Sequence, residues 1–227
     1  MKAGAKEDDI LAIAGDITKE EVRNELVDKT IAKFGKLNIL VSNHGGSQSE
    51  FNQDGSWNME VFDPTIDQNV KSTIALCMKA YTHLKESKGD IVLVGSIAST
   101  MASGELLFYA LSKAAISHLA TVLGYRFAKD DIRVNCVNPG LVSTTFMQKL
   151  GVLPETSRKL ENFFASNCIP MRRAGAPKDI AEPIAFLADR NASGYITGQS
   201  IIADGGATLQ HSMITFNFTE VIKQIGN

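Results

Sequence analysis

Cysteine is scarce in this sequence: 227 residues hold only Cys77, Cys136 and Cys168. An odd number at wide spacing excludes a disulfide framework. It points to reduced thiols and an intracellular, cytoplasmic setting. Histidine is equally sparse, with four scattered residues, and no Cys or His stands at metal-ligand spacing, so no metal site is expected. Neither sign of charge dominates: 23 Lys and Arg face 25 Asp and Glu, a net charge of −2. Without a basic run, nucleic acid and membrane surfaces are not expected as partners. The longest apolar runs are strand-sized, which predicts no membrane span. The opening Met1-Lys2-Ala3-Gly4-Ala5-Lys6-Glu7-Asp8-Asp9 lacks the apolar stretch of a signal peptide. Repeats and low-complexity linkers are missing too, so residues 1–227 read as a single domain.

What remains is 44% apolar, enough for a sizeable core, and it alternates strand-like with helix-like segments. Ile10–Gly15, Leu37–Val41, Ile91–Val94, Ile132–Val137 and Gln199–Ala203 are short apolar runs, as strands buried on both faces require. Between them, Thr18-Lys19-Glu20-Glu21 resembles a capping box opening a helix that ends at Gly35. Pro64–Lys85 has apolar residues about every fourth position and Pro64 at a helix start. Phe108–Ala128 and Pro177–Ala188 also read as helices, the latter with Pro183 inside. Leu141–Ala174 reads as irregular with one helix, and Leu209–Asn227 as a tail without a clear role. This alternation predicts a doubly wound, Rossmann-like parallel α/β sheet.

Within that frame, Tyr109 and Lys113 are four apart on one predicted helix and so share a face. Ser96 follows the run Ile91-Val92-Leu93-Val94-Gly95, where a parallel strand presents its loop to a ligand. An ammonium beside a phenol favours the phenolate. The spacing therefore predicts Tyr109 as a proton-exchanging acid/base, Lys113 as the group that lowers its pKa, and Ser96 as a donor to a substrate oxygen. Phe146, Met147, Leu150, Leu153, Phe163 and Phe164 make the segment after residue 144 apolar, which suits either an apolar substrate pocket or plain core.

The ordered motifs resemble the short-chain dehydrogenase/reductase family. Besides Ser96, Tyr109 and Lys113, they comprise Asp16 after the first apolar run, Leu40-Val41-Ser42-Asn43-His44-Gly45, Asn69, Asn138-Pro139-Gly140-Leu141-Val142-Ser143-Thr144 and Ile201-Ile202-Ala203-Asp204-Gly205-Gly206. The family's fourth-strand segment reads L-V-N-N-A-G, so Ser42 and His44 are departures. The resemblance implies NAD or NADP as cofactor and a secondary alcohol or carbonyl compound as the small-molecule substrate. It also implies a homodimer or homotetramer paired through the two long helices. By the same resemblance Asn69 belongs to the proton relay and Lys113 contacts the nicotinamide ribose. Asp16 would lie beside the adenine, and Asn43, His44 and Gly45 would line the cofactor cleft. Pro139, Gly140, Val142 and Thr144 would cover the nicotinamide.

The family's glycine-rich turn, T-G-x-x-x-G-x-G, is nowhere in the sequence. The expectation is a fold shortened at its N-terminus by about two strands, with Ile10–Gly15 left without a neighbour. The 227-residue chain alone would then bind neither NADH nor NADPH and be poorly stable. The same chain preceded by a βαβ unit carrying the turn would bind one of them. Two other classes remain open. One is a non-catalytic chain acting through oligomer or partner interfaces. The other is a serine hydrolase at Ser96, which Val94-Gly95-Ser96-Ile97-Ala98 disfavours because it lacks the second glycine of a nucleophile elbow.

Overall fold

The structure, a computed structural model, describes residues 6–102 and 104–210. Four parallel strands form one sheet in the order β1 (Ile39–Ser42), β2 (Asp90–Val94), β3 (Arg133–Pro139) and β4 (Ser200–Ala203). Side chains alternate across the pleat. Ile91, Leu93, Val134 and Cys136 face a core shared with α1 (Glu20–Phe34), α3 (Ser72–Ser87) and α4 (Leu107–Phe127). Val92 and Val137 point to the other face, against Leu187, Ile180 and Ile184 of α7 (Pro177–Ala188). The sheet is thus covered on both faces, the α/β arrangement that the alternating pattern predicts. The segment after β3 holds two helices rather than one, α5 (Phe146–Lys149) and α6 (Pro154–Cys168), and α8 (Arg190–Ser193) follows α7.

Residues 10–15 do not form the expected strand. They pair with no strand, Gly15 lies in a bend, and Ile10 is 44% exposed. No strand lies beside them among the described residues, and an apolar run cannot form a strand without a partner for its backbone. β1 is an edge strand for the same reason, with Ile39 and Val41 exposed. The capping box at Thr18 is not formed either: α1 starts at Glu20 after Lys19, and Thr18 instead bonds Asp16. Pro64 falls inside α2 (Phe62–Ile66), behind a turn capped by the Asn58 side chain. The single long helix expected from there is interrupted by a π turn at Asp67–Lys71 before α3 begins. The tail beyond residue 210 lies outside the described residues.

One expectation about length needs correcting. The helical stretch Leu107–Asp130 is, by length and composition, apolar enough to cross a membrane. Here it packs Ile116, Ala120, Leu123 and Phe127 into the core and buries Ser112 and Lys113, so it is the central helix of this fold.

A buried ion pair ties the start of the sheet together. Arg133 Nε lies 2.9 Å from Asp90 Oδ1, both nearly inaccessible, without the alignment of a hydrogen bond. The guanidinium also donates to the carbonyls of Ser193, Ile196 and Leu187, and Arg190 reaches Asp90 from outside. Removing one partner would leave a buried charge uncompensated. Asp90→Ala is therefore expected to lower unfolding free energy by about 3–5 kcal/mol. A urea titration showing a loss below about 1 kcal/mol would refute this reading of the pair.

Candidate active site

Because the strands are parallel, their C-terminal ends share one edge, where ligands bind in open α/β sheets. Ser96 stands just past β2 and Pro139 ends β3. Asn138, 2% exposed, couples these two ends. Its Oδ1 accepts from Ser96 N (3.2 Å), Ser117 Oγ (3.0 Å) and Cys136 Sγ (3.3 Å). Gly95 allows that approach, since a Cβ there would lie 2.0 Å from Asn138 Oδ1.

α4 brings Tyr109 and Lys113 to the same edge. The Lys113 ammonium lies 5.7 Å from the Tyr109 ring centre and donates to the Val94 carbonyl at 3.0 Å. Burial drives the Lys113 pKa down to about 8, partly countered by Cys136. Tyr109 moves opposite to the sequence expectation. Burial raises its pKa above the ordinary phenol value, and a hydrogen bond with Ser96 pulls it back only in part. Desolvation of the phenolate outweighs an ammonium whose hydrogen bond runs to the backbone of β2. Phe146 of α5 packs on the Tyr109 ring at 5.7 Å.

Asn69 sits in the π turn, a distortion often found at functional positions. Its Oδ1 accepts from Gly46 N (2.9 Å), and its Nδ2 donates to Gly46 O and Ser112 Oγ (both 2.9 Å). Ser112 in turn donates to the Tyr109 carbonyl at 2.7 Å. The side chain is thereby committed to bracing the loop after β1 against α4. Gly45, at φ +148°, lies beneath this brace: a Cβ there would be 3.1 Å from Asn69 Oδ1 and 3.2 Å from Lys113 Nζ.

The two departures from the family pattern are joined. His44 Nε2 meets Ser72 Oγ (2.8 Å) and Thr73 Oγ1 (3.2 Å), while Nδ1 meets Ser42 Oγ (3.3 Å). Burial, and secondarily the Lys113 charge, lower the His44 pKa from 6.5 to about 4. Above pH 6.5 the ring is neutral whether folded or unfolded. Between pH 6.5 and 4 only the unfolded chain takes a proton, so stability falls as pH falls. The loss is at most about 3 kcal/mol, and less for a ring still partly in water. His44→Asn is expected to flatten this acid limb. Equal pH dependence of urea midpoints in variant and parent between pH 7.5 and 4 would contradict it.

The other residues proposed from sequence have contacts of their own. Asp16 is exposed and bonded to Thr18 N and Oγ1, which lower its pKa. Asn43 is exposed, and the side-chain bonds at this end of β1 are made by Ser42, His44 and Asn69. Gly140 N reaches Ala203 O at 3.0 Å, tying the loop after β3 to β4. Val142 pairs with Gly175, and Thr144 Oγ1 accepts from Phe146 N at 3.3 Å. Asn138 and Ser112 were missed as site residues. The first lay in plain sight in the Asn-Pro-Gly motif, and the second directly precedes Lys113. Phe146 carries no sequence signal beyond its apolar character.

Ile97, the residue after Ser96, lines an open cavity of about 330 Å³ together with Met101, Leu141, Phe164, Cys168, Ile169, Ala207 and Gln210. Of the apolar residues after position 144, Phe164 lines it and is still partly exposed, and Leu153 and Phe163 are more exposed and lie outside its lining. Among the described residues no group of His, Cys, Asp or Glu could hold a metal ion.

Residues 1–208 match the model of a family described as enoyl-(acyl carrier protein) reductase. The chain is 34% identical over 198 residues to dehydrogenase/reductase SDR family member 4 of Caenorhabditis elegans, covering 87% of this chain and 75% of that protein. It is 31% identical over 223 residues to glucose 1-dehydrogenase of Gluconobacter oxydans, covering 91% and 81%. A short-chain dehydrogenase/reductase of unknown function from C. elegans, solved with cofactor, superposes with a TM-score of 0.90 at 37% identity, covering 95% of this chain and 82% of that one. ElxO with NADP bound superposes at 0.79 with 29% identity, covering 90% and 80%.

Proposed function

The chain belongs to the short-chain dehydrogenase/reductase family of nicotinamide-dependent oxidoreductases, and from that premise we propose that it interconverts a secondary alcohol and a ketone with Tyr109 as acid/base. The observation that carries this reading is the convergence of Tyr109, Ser96 and Lys113 at one sheet edge. NAD or NADP supplies the hydride when bound. The ribose end of such a cofactor fits here: bare Gly45 leaves open the space beside Lys113 Nζ and Asn69 Oδ1 that a Cβ would fill. Pro139 and Gly140 stand at the neighbouring strand end. The sequence holds no glycine-rich turn for the pyrophosphate.

The chain's own residues have distinct tasks in this reading. Ser96 donates to the substrate oxygen and shares a hydrogen bond with Tyr109. Tyr109, held protonated by its raised pKa, delivers a proton to that oxygen as negative charge develops there. Lys113 places a positive charge beneath the ring, where phenolate forms. Asn69 keeps the Gly45–Gly46 backbone and α4 in register. The apolar cavity that Ile97 lines supports an apolar ketone or alcohol rather than a sugar, since a polyol needs many hydrogen-bond partners and this wall offers few. Three free cysteines, Cys168 exposed, suit a reducing intracellular compartment.

The test uses the 227-residue chain and the same chain preceded by a βαβ unit carrying the glycine turn. Each is assayed with NADH and NADPH against acetophenone, a 3-ketosteroid and an enoyl thioester, and with NAD+ and NADP+ against glucose. Turnover of the apolar ketones over glucose is expected from the extended chain. No turnover by either chain, with cofactor binding intact, would favour the non-catalytic alternative.

We further propose a homodimer or homotetramer. Exposed Ile74 and Met78 on α3 and Leu111, Val122 and Tyr125 on α4 give both helices an apolar outer stripe that a two-fold contact would cover. Light scattering at micromolar concentration should show more than a monomer, and a monomeric mass would contradict the assembly.

A further inference from the structure

α4 carries Tyr109 in its first turn, yet its N-terminus has no cap of its own: Leu106 stands at the cap position and contributes no side-chain bond. The first amides of any helix lack intrahelical partners. Here two of them are satisfied from elsewhere. Glu50, in the loop between β1 and α2 and only 1% exposed, accepts from Phe108 N at 2.8 Å through Oε2 and from Tyr109 N at 2.9 Å through Oε1. Ser47 Oγ donates to the same Oε1 at 3.3 Å. The loop is seated around this contact. Asn58 N reaches Glu50 O at 2.8 Å, Phe51 pairs with Trp57, and the rings of Trp57 (tilted) and Phe62 (edge-on) pack against Phe108 at 5.8 and 5.4 Å.

We propose that Glu50 is a positioning residue that fixes Tyr109 by capping α4 from the opposite loop. A carboxylate held by two backbone N–H groups makes charge-assisted, bidentate contacts with little angular freedom. One of the two amides belongs to Tyr109 itself, so the contact sets where that residue's backbone begins. Its side chain then leaves the helix toward Ser96, with Phe146 against the ring and the Lys113 ammonium 5.7 Å from its centre. The carboxylate also opposes the positive end of the α4 dipole close to the phenol. Glu50 thus makes the loop after β1 part of the reacting geometry without touching substrate.

This rests on Tyr109 being the acid/base, but it can be tested on the chain itself. Glu50→Gln keeps the side-chain length and one acceptor while removing the charge and the second acceptor. Glu50→Ala serves as the harsher variant. Amide exchange at Phe108 and Tyr109, referenced to Ala120 in mid-helix, should speed up at least about ten-fold in Glu50→Gln. With 13Cζ-labelled tyrosine, the Tyr109 signal (identified by its loss in Tyr109→Phe) should titrate at lower pH once the negative charge is gone. Where turnover is measured, kcat should fall about ten-fold with KM for cofactor unchanged. Unchanged exchange overturns the cap. Faster exchange with an unmoved Tyr109 titration and unmoved kcat reduces Glu50 to a structural role and overturns the proposal. Unimpaired turnover in Tyr109→Phe would instead strike the assigned reaction, leaving the exchange and titration results to decide on Glu50.

Discussion

In the chain preceded by a βαβ unit carrying the glycine turn, replacing Tyr109 with phenylalanine should remove about 10²–10⁴-fold of kcat while leaving cofactor affinity nearly unchanged. The ring keeps its contact with Phe146 and its place over Lys113, so packing and the surrounding backbone have no reason to move. Only the oxygen is lost, and with it the hydrogen bond to Ser96. The raised pKa sharpens the expectation. A phenol that burial keeps protonated at neutral pH is a proton donor, so the loss should be fullest for carbonyl reduction, where a developing alkoxide needs that proton. Single-turnover measurements with excess cofactor separate the chemical step from binding. If the variant kept more than about a tenth of the parent kcat, Tyr109 would not be the acid/base.

How far the sequence could carry this reading differs by residue. Ser96, Tyr109 and Lys113 were legible because local geometry suffices. A strand end and one helical turn determine where they fall, and the fold brings them together without help from distant choices. β2, β3 and β4 were legible within two residues at each end, since apolar runs bounded by turns leave few alternatives. Ile10–Gly15 has the same composition and failed, because a strand is a relation between two segments and composition describes only one. The break at Asp67–Lys71 was invisible for a related reason. A π turn adds one residue to the helical repeat, so the buried face shifts to Leu76, Cys77 and Ala80 while Ile74 and Met78 are exposed, and Asn69 is aimed between Gly46 and Ser112.

Electrostatics was the least legible layer. Spacing alone put an ammonium near a phenol and gave the sign of their mutual influence. It could not give the depth at which both are buried, and burial decides the sign for Tyr109. Long-range polar partners were hidden likewise. Glu50 lies 58 positions before Phe108 in a segment that reads as an ordinary polar loop. Asn138 and Ser96 are 42 apart. His44 read as a departure of uncertain consequence, and its meaning appears only with Ser42, Ser72 and Thr73 around it.

Lys113→Met should abolish most turnover and yet make the chain more stable at neutral pH. Methionine keeps the unbranched shape and fills the same channel, while removing a charge from a site that is nearly closed to water. The pKa of Lys113 is about 8 in the folded chain against 10.5 as the ordinary value. Below pH 8 both states hold the proton, and the folded state carries its charge at a penalty of up to about 3 kcal/mol. Between pH 8 and 10.5 the unfolded chain binds the proton and the folded chain does not, so parent stability climbs with pH and levels off above that window. Offsetting this, the variant loses one hydrogen bond to Val94 O, a loss of about 1 kcal/mol. The net expectation is a gain of about 1–2 kcal/mol at pH 7, shrinking as pH rises through 8 to 10.5 and ending as a loss of about 1 kcal/mol, the missing hydrogen bond, alongside a fall in kcat of at least about 10²-fold. Urea midpoints at pH 7 and pH 9.5 read the first effect, and turnover reads the second. A variant less stable than its parent at pH 7 would mean that the ammonium is held by compensating contacts, and that its charge is not stored at the expense of the fold.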